Sequence, residues 1–161
     1  MNYLNGQGAE MFLNLLLREF GFKAKSPITR EELLAEVKSK PNRHFRTALH
    51  FVEKDYPDID VNVNILVDRL LGIDGFIEAN DGSIVSYDIT VNPTNKAFNH
   101  KANVQRDTTQ ARVRLGLSQH ILIVLKTNIN YIDMSDEQKW FIIDSIMDAV
   151  DNEETEVYIT V

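Results

Sequence analysis

Residues 72–91 constrain the chain more than any other stretch, because they read as two strands joined by a tight turn, with one acid on each strand. The turn is Asn80-Asp81-Gly82. A three-residue hairpin loop favours a type I turn closed by a left-handed residue, and glycine takes that position without steric cost. With those three residues as the loop, Ala79 faces Ser83, and counting back along both strands sets Asp74 opposite Asp88 on one face of the sheet. Directly opposed residues have Cβ atoms about 4.5–5.5 Å apart, near enough for two carboxylates to share a cation and near enough to repel without one. A two-residue loop of Asp81-Gly82 alone would slip the register by one and send the acids to opposite faces.

Upstream, residues 7–20 pattern as a helix closed by Gly21, apolar around most of its circumference except for Glu10, Asn14 and Arg18, and therefore expected to be buried on several sides. Thr29 and Glu32 form a capping box that opens a second helix, which must end before Pro41. A third helix runs from about residue 42 to 55, ahead of Pro57. These two make a helical insert over about residues 26–57 carrying Lys38, Lys40, Arg43 and Arg46, which reads either as a solvated face or as a DNA contact. Ile59, Val61, Val63, Ile65 and Val67 then alternate with a period of two, which predicts a first strand.

Downstream, Asn92-Pro93-Thr94 breaks the sheet before a long helix over about residues 95–115, closed by Gly116. Lys101, Gln105, Thr108 and Arg112 share one of its faces, and Phe98, Ala102, Ala111 and Leu115 are expected to turn toward the core. Residues 121–125 are continuously apolar, as in a strand buried on both faces. Ser135 and Gln138 open a further helix in which Trp140 is expected to be core, and residues 157–161 form a final strand.

The order implies an α/β fold with a mixed central β-sheet flanked by helices, and 161 residues with 43% apolar content suit one domain over residues 1–161. There are no cysteines, which removes disulfide scaffolds and thiolate zinc sites. The four histidines lack metal-ligand spacing. No apolar run approaches the roughly 18 residues of a membrane span, and residues 1–5 lack the blocks of a signal peptide, so the cytoplasm is the expected location. A net charge of -7 argues against a globally basic coat while leaving room for a local basic face. Rossmann, P-loop and Ser-His-Asp signatures are missing.

On Gly8-Ala9-Glu10 in the first helix, Gly72-Ile73-Asp74-Gly75-Phe76, Ser86-Tyr87-Asp88-Ile89-Thr90 and the helix with Gln105 leading into Ile121-Leu122-Ile123-Val124-Leu125, the chain resembles the PD-(D/E)XK, or restriction endonuclease-like, nuclease superfamily. The common core of that superfamily is helix, three antiparallel strands, helix, strand. The resemblance implies metal-dependent hydrolysis of DNA phosphodiester bonds, with Asp74 and Asp88 as the two metal-binding acids and Glu10 as a further ligand. Mg²⁺ or Mn²⁺ is the implied ion. Hard Mg²⁺ takes one or two carboxylates plus waters and phosphate oxygens, polarises the scissile phosphate and supplies hydroxide near neutral pH.

Thr90 stands where the superfamily has its lysine. Lys101, beside Gln105 on the following helix, is the first substitute and Lys96 the second, while a third possibility is that Thr90 hydrogen-bonds a metal-bound water. The implied protein is an endonuclease of restriction, resolvase or repair type, of phage or mobile-element origin, working as a homodimer because two strands must be cut. One alternative is a catalytically degenerate member of the same fold that binds nucleic acid or protein. Another is an unrelated α/β module whose terminal strand, residues 155–161, pairs edge to edge with a second copy.

Overall fold

A computed structural model describes the backbone of residues 6–56 and 62–161 and, within them, the side chains from Met11 onward. Its elements are α1 (Gly6–Glu19), β1 (Lys23–Ala24), α2 (Arg30–Ser39), α3 (Arg43–Asp55), α4 (Val63–Leu71), β2 (Gly75–Glu78), β3 (Ile84–Val91), α5 (Asn95–Arg114), β4 (His120–Lys126), α6 (Asp136–Asp151) and β5 (Glu156–Thr160), with a 3-10 turn at Tyr131–Asp133. The strands form one five-stranded sheet in sequence order. β1, β2 and β3 are antiparallel, and α5 and α6 carry the chain over so that β3, β4 and β5 run parallel. This is an α/β fold with a mixed central sheet flanked by helices.

Local chemistry accounts for most helix boundaries. Thr29–Glu32 and Ser135–Gln138 are both reciprocal capping boxes, and Asn42 and Thr94 accept backbone N–H bonds at the starts of α3 and α5. The hairpin register is the one the three-residue loop demands. Ala79 N–H donates to Ser83 O at 2.8 Å, Gly82 closes the turn at φ 85°, and Gly75 pairs with Tyr87.

Several expectations are corrected. The alternation expected to make a strand over residues 59–67 belongs instead, from Val63, to α4; residues 59 and 61 lie outside the described residues. There the buried set is Leu66, Val67, Leu70 and Leu71, a helical spacing, with Asn62 capping one end and left-handed Gly72 the other. The period-two pattern was a coincidence of an apolar helix. The first strand is the two-residue β1, so the helical insert lies between β1 and β2 and extends through α4. Trp140 is not core: it is 51% exposed, edge-on to Phe20, because α6 buries the stripe Ile142, Ile143, Ile146, Met147 and Val150 and leaves Trp140 at its border. Met11 and Leu15 of α1 are exposed, as is Ala102 of α5. Along α5, Ala111 and Leu115 do meet the core, and Thr108 and Arg112 of the neighbouring polar stripe are buried as well.

β3 lies at the centre of the sheet and its two faces meet different surroundings. Val85, Tyr87, Ile89 and Val91 pack with Ile121, Ile123 and Leu125 against α1 and α6. Each such buried side chain contributes roughly 1.5–3 kcal/mol. The opposite face carries Ser86, Asp88 and Thr90, all buried, on the side where α4 and α5 lie. A second apolar cluster holds the insert down through Leu33, Val37, Phe45, Leu66, Leu70 and Phe76. No helix among the described residues is long and apolar enough to cross a membrane.

Candidate active site

Asp74 stands one residue before β2, where its N–H donates to Tyr87 O at 2.8 Å, and its carboxyl lies within hydrogen-bonding reach of that of Asp88. Its carboxylate is also fixed: Ile89 N–H donates to Asp74 Oδ2 at 2.8 Å. Both aspartate side chains are 3% exposed. From α5, Lys101 reaches them with Nζ 2.5 Å from Asp88 Oδ1 and 3.7 Å from Asp74 Oδ2, while its own side chain remains 28% exposed. The lysine therefore enters from the mouth of the site and the acids form its floor. Along α5, Thr108 Oγ1 donates to Val104 O at 2.8 Å and makes a longer contact with Leu71 O, tying this helix to the end of α4.

A third carboxylate joins from α4. Asp68 lies beside Asp74, and burial first, then the charge of Asp74, raise its pKa to about 6. Burial raises Asp88 further, to about 8, helped by its hydrogen bond and repulsion with Asp74 and opposed by Lys101. Three acids thus face one lysine in a cleft of about 260 Å³ lined by His44, Asp68, Asp74, Asp88, His100 and Lys101. Without a further cation, a carboxyl in this group keeps its proton near neutral pH. His44 Nε2 hydrogen-bonds Leu70 O at 2.9 Å, which secures α3 to α4 beside Asp68.

Behind the acids, a polar chain runs across α5, β4 and β3. Arg112 Nη1 donates to Gln105 Oε1 at 2.7 Å, so the Gln105 amide nitrogen is left to donate to His120 Nε2 at 2.5 Å. His120 Nδ1–H is then the donor to Ser86 Oγ at 2.7 Å, and Ser86 Oγ–H turns to Gln119 O at 3.3 Å. This order of donors requires a neutral imidazole. Burial, reinforced by Arg112, lowers the His120 pKa to about 3, in keeping with that requirement. Burial also lowers Arg112, to about 10, with Asp88 acting in the opposite sense.

The structure therefore brings together Asp74, Asp88 and Lys101 of the residues singled out in the sequence. Thr90 is buried two positions beyond Asp88 on the same face. Gln105 faces His120 and Arg112. Lys96 is exposed in the first turn of α5, and the side chain of Glu10 lies outside the described residues. Sequence reasoning missed Asp68, because its segment reads as a strand; the signal that would have found it is the helical spacing of Leu66, Val67, Leu70 and Leu71 ahead of Gly72. It also left His120 without a role, since the parallel register Ser86↔His120 has no local signature.

Among the described residues, no group of three or more His, Cys, Asp or Glu is arranged to hold a metal ion. Asp74 meets both Asp88 and Asp68 side chain to side chain, and one or two of these carboxylates suffice for Mg²⁺ with its retained waters. No family model, no curated protein and no solved structure matches the chain.

Proposed function

We propose that the chain is a divalent-metal-dependent endonuclease of the PD-(D/E)XK type that hydrolyses DNA phosphodiester bonds, with Lys101 supplying the positive charge that Thr90 lacks. The observation that carries this reading is the approach of Lys101 Nζ to within 2.5 Å of Asp88 and 3.7 Å of Asp74. Support also comes from the element order, which reads helix, three antiparallel strands, helix and strand once α2, α3 and α4 are set aside as an insert between β1 and β2.

The donor set suits a hard cation. Asp74 and Asp88 would hold it, since both are oxygen donors with side chains 3% exposed and the proton retained on Asp88 marks a site short of positive charge. Mg²⁺ or Mn²⁺ supplies Lewis-acid polarisation of the phosphate and a more acidic water. The chain's own residues do the rest. Asp74, pinned by Ile89 N–H, and Asp88, held in the central strand, give a fixed anionic floor. Lys101, partly open to solvent, orients a water by donating to it and offsets the charge that grows on the phosphoryl oxygens during attack.

The proposal includes a homodimer, one site for each strand of a duplex, and a cytoplasmic location. The competing reading, a degenerate member that binds without cutting, draws on the uncharged Thr90. A cleavage assay on duplex, branched and single-stranded DNA with Mg²⁺ or Mn²⁺ separates them. Metal-dependent cutting that Asp88→Asn abolishes is expected. Absence of cutting on every substrate with either ion would overturn the endonuclease.

A further inference from the structure

A second and larger cleft, about 600 Å³, opens on the other side of Asp74, which belongs to the walls of both. It is bounded by α1, the edge strand β1 with the residues after it, and the first turn of α4, through Asn14, Lys23, Lys25, Ser26, Asn62 and Asn64. The antiparallel register explains the adjacency. Lys23 pairs with Ile77 and Ala24 with Phe76, so two residues further out Ser26 comes level with Asp74.

Three features of this cleft are unlike the acid floor beside it. Lys23 and Lys25 project from the same side of an extended segment, and Lys23 is held below the usual lysine range by partial burial and then by the neighbouring Arg18. Cations are thus gathered here in a chain of net charge -7. The first turn of α4 presents the positive end of a nine-residue helix to the same space. Finally, Asn14 Oδ1 is buried and has no hydrogen-bond partner among the described residues. A buried acceptor without a donor is costly, and a bound group that supplies one would relieve it.

We propose that this cleft is a second subsite of the same site, taking the phosphate and nucleoside next to the phosphodiester over Asp74 and Asp88. The proposal rests on the endonuclease reading above and adds where the strand runs: over β1, toward α1 and α4. Lys23, Lys25 and the helix end take the phosphate. A phosphate offers no donor to Asn14, so that oxygen takes a base amino group or a sugar hydroxyl of the same nucleotide. The two halves of a nucleotide are matched by two chemically different halves of the cleft.

The test is fluorescence anisotropy of labelled single-stranded DNA, duplex DNA and RNA as a function of salt, with Ca²⁺ in place of Mg²⁺. For the Lys23→Gln, Lys25→Gln double variant the slope of log affinity against log salt is expected to fall by about 1 per lysine. The double variant Lys54→Gln, Lys126→Gln, at exposed lysines of α3 and β4, is the charge-matched control and keeps the slope. Asn14→Leu is expected to weaken binding several-fold with the slope unchanged while its melting temperature holds or rises, a combination that a structural role alone would not give. Wild-type binding that the double variant leaves intact in slope and affinity would overturn the subsite and leave the acid pair standing. Binding of polyglutamate with the same lysine dependence, and of no oligonucleotide, would overturn the subsite in favour of an acidic peptide. Absence of all oligonucleotide binding, together with no metal-dependent cleavage, would remove both readings.

Discussion

Lys101 Nζ stands 2.5 Å from Asp88 Oδ1, and this pair joins a helix to the central strand at the one place where β3 buries a carboxyl group. The ammonium is the nearest compensation for Asp74 and Asp88 together. Lys101→Met keeps the aliphatic stem and removes the charge. Cleavage is expected to fall on the order of 10²–10³-fold, the range for losing one electrostatic contact at a reacting group. The melting temperature should also fall, more at alkaline than at mildly acid pH, because Asp88 can take up a proton only at the lower pH. A variant that cuts at the wild-type rate would show that the charge is not used.

Asp88 itself gives a pH signature. Its pKa is raised from 3.8 to about 8, chiefly by burial. Between those values the native state holds a proton that the unfolded chain releases, so its contribution to stability is full at low pH and is lost as pH rises through the upper value. Asp88→Asn removes the penalty. The gap in melting temperature between Asp88→Asn and wild type is therefore expected to widen from about pH 5 to about pH 9, with each kcal/mol appearing as about 2–4 °C in a chain of this size. Added Mg²⁺ should raise the wild-type midpoint and leave Asp88→Asn nearly unmoved. A gap that stays constant with pH would refute the assignment.

What the sequence shows of this site, and what it hides, follows from the range of the interactions. The Asp74–Asp88 opposition is set by three turn residues, and caps at Thr29, Asn42, Thr94 and Ser135 are set within four residues, so both are local and readable. α4 misleads because Val63, Ile65 and Val67 satisfy a strand period while the surfaces that bury Leu66 and Leu70 lie elsewhere in the chain. Asp68 disappears with it. β1 is two residues long, too short to carry any period, and it exists because β2 offers it an edge. Arg112 reads as a surface cation on a polar helix face, whereas that face turns inward, where Gln105 of the same face links Arg112 to His120 on β4.

Gly75 is a mechanical test of the acid pair. A Cβ there would lie 2.6 Å from Cζ of Tyr87, its cross-strand partner, whose ring is fully buried and cannot swing away. Gly75→Ala must push β2 from β3 next to Asp74. Overpacking of this kind costs about 1–3 kcal/mol, and calorimetry should show the corresponding fall in melting temperature. Metal affinity measured by titration calorimetry should fall as well, since the displaced residue is adjacent to Asp74. Unchanged metal affinity in a destabilised variant would separate the hairpin's packing from the site.

His120 tests the polar chain behind the acids. Its pKa is lowered from 6.5 to about 3, by burial and then by Arg112, so the unfolded chain binds a proton that the native state refuses. The associated stability is full above the upper value and is lost as pH falls toward the lower one. Asp68 and Asp88 act with the opposite sign over part of the same range, so the comparison must be between variants and not along one curve. His120→Gln keeps an acceptor for Gln105 and a donor for Ser86 but cannot titrate. The wild type should lose stability relative to this variant as pH falls from about 6.5 to about 4, in paired thermal melts. The pH profile of cleavage near neutrality should be the same for both proteins, because the imidazole is already neutral there. A shifted profile would mean that His120 exchanges protons with the acids it stands behind, rather than holding Gln105 and Ser86 in place.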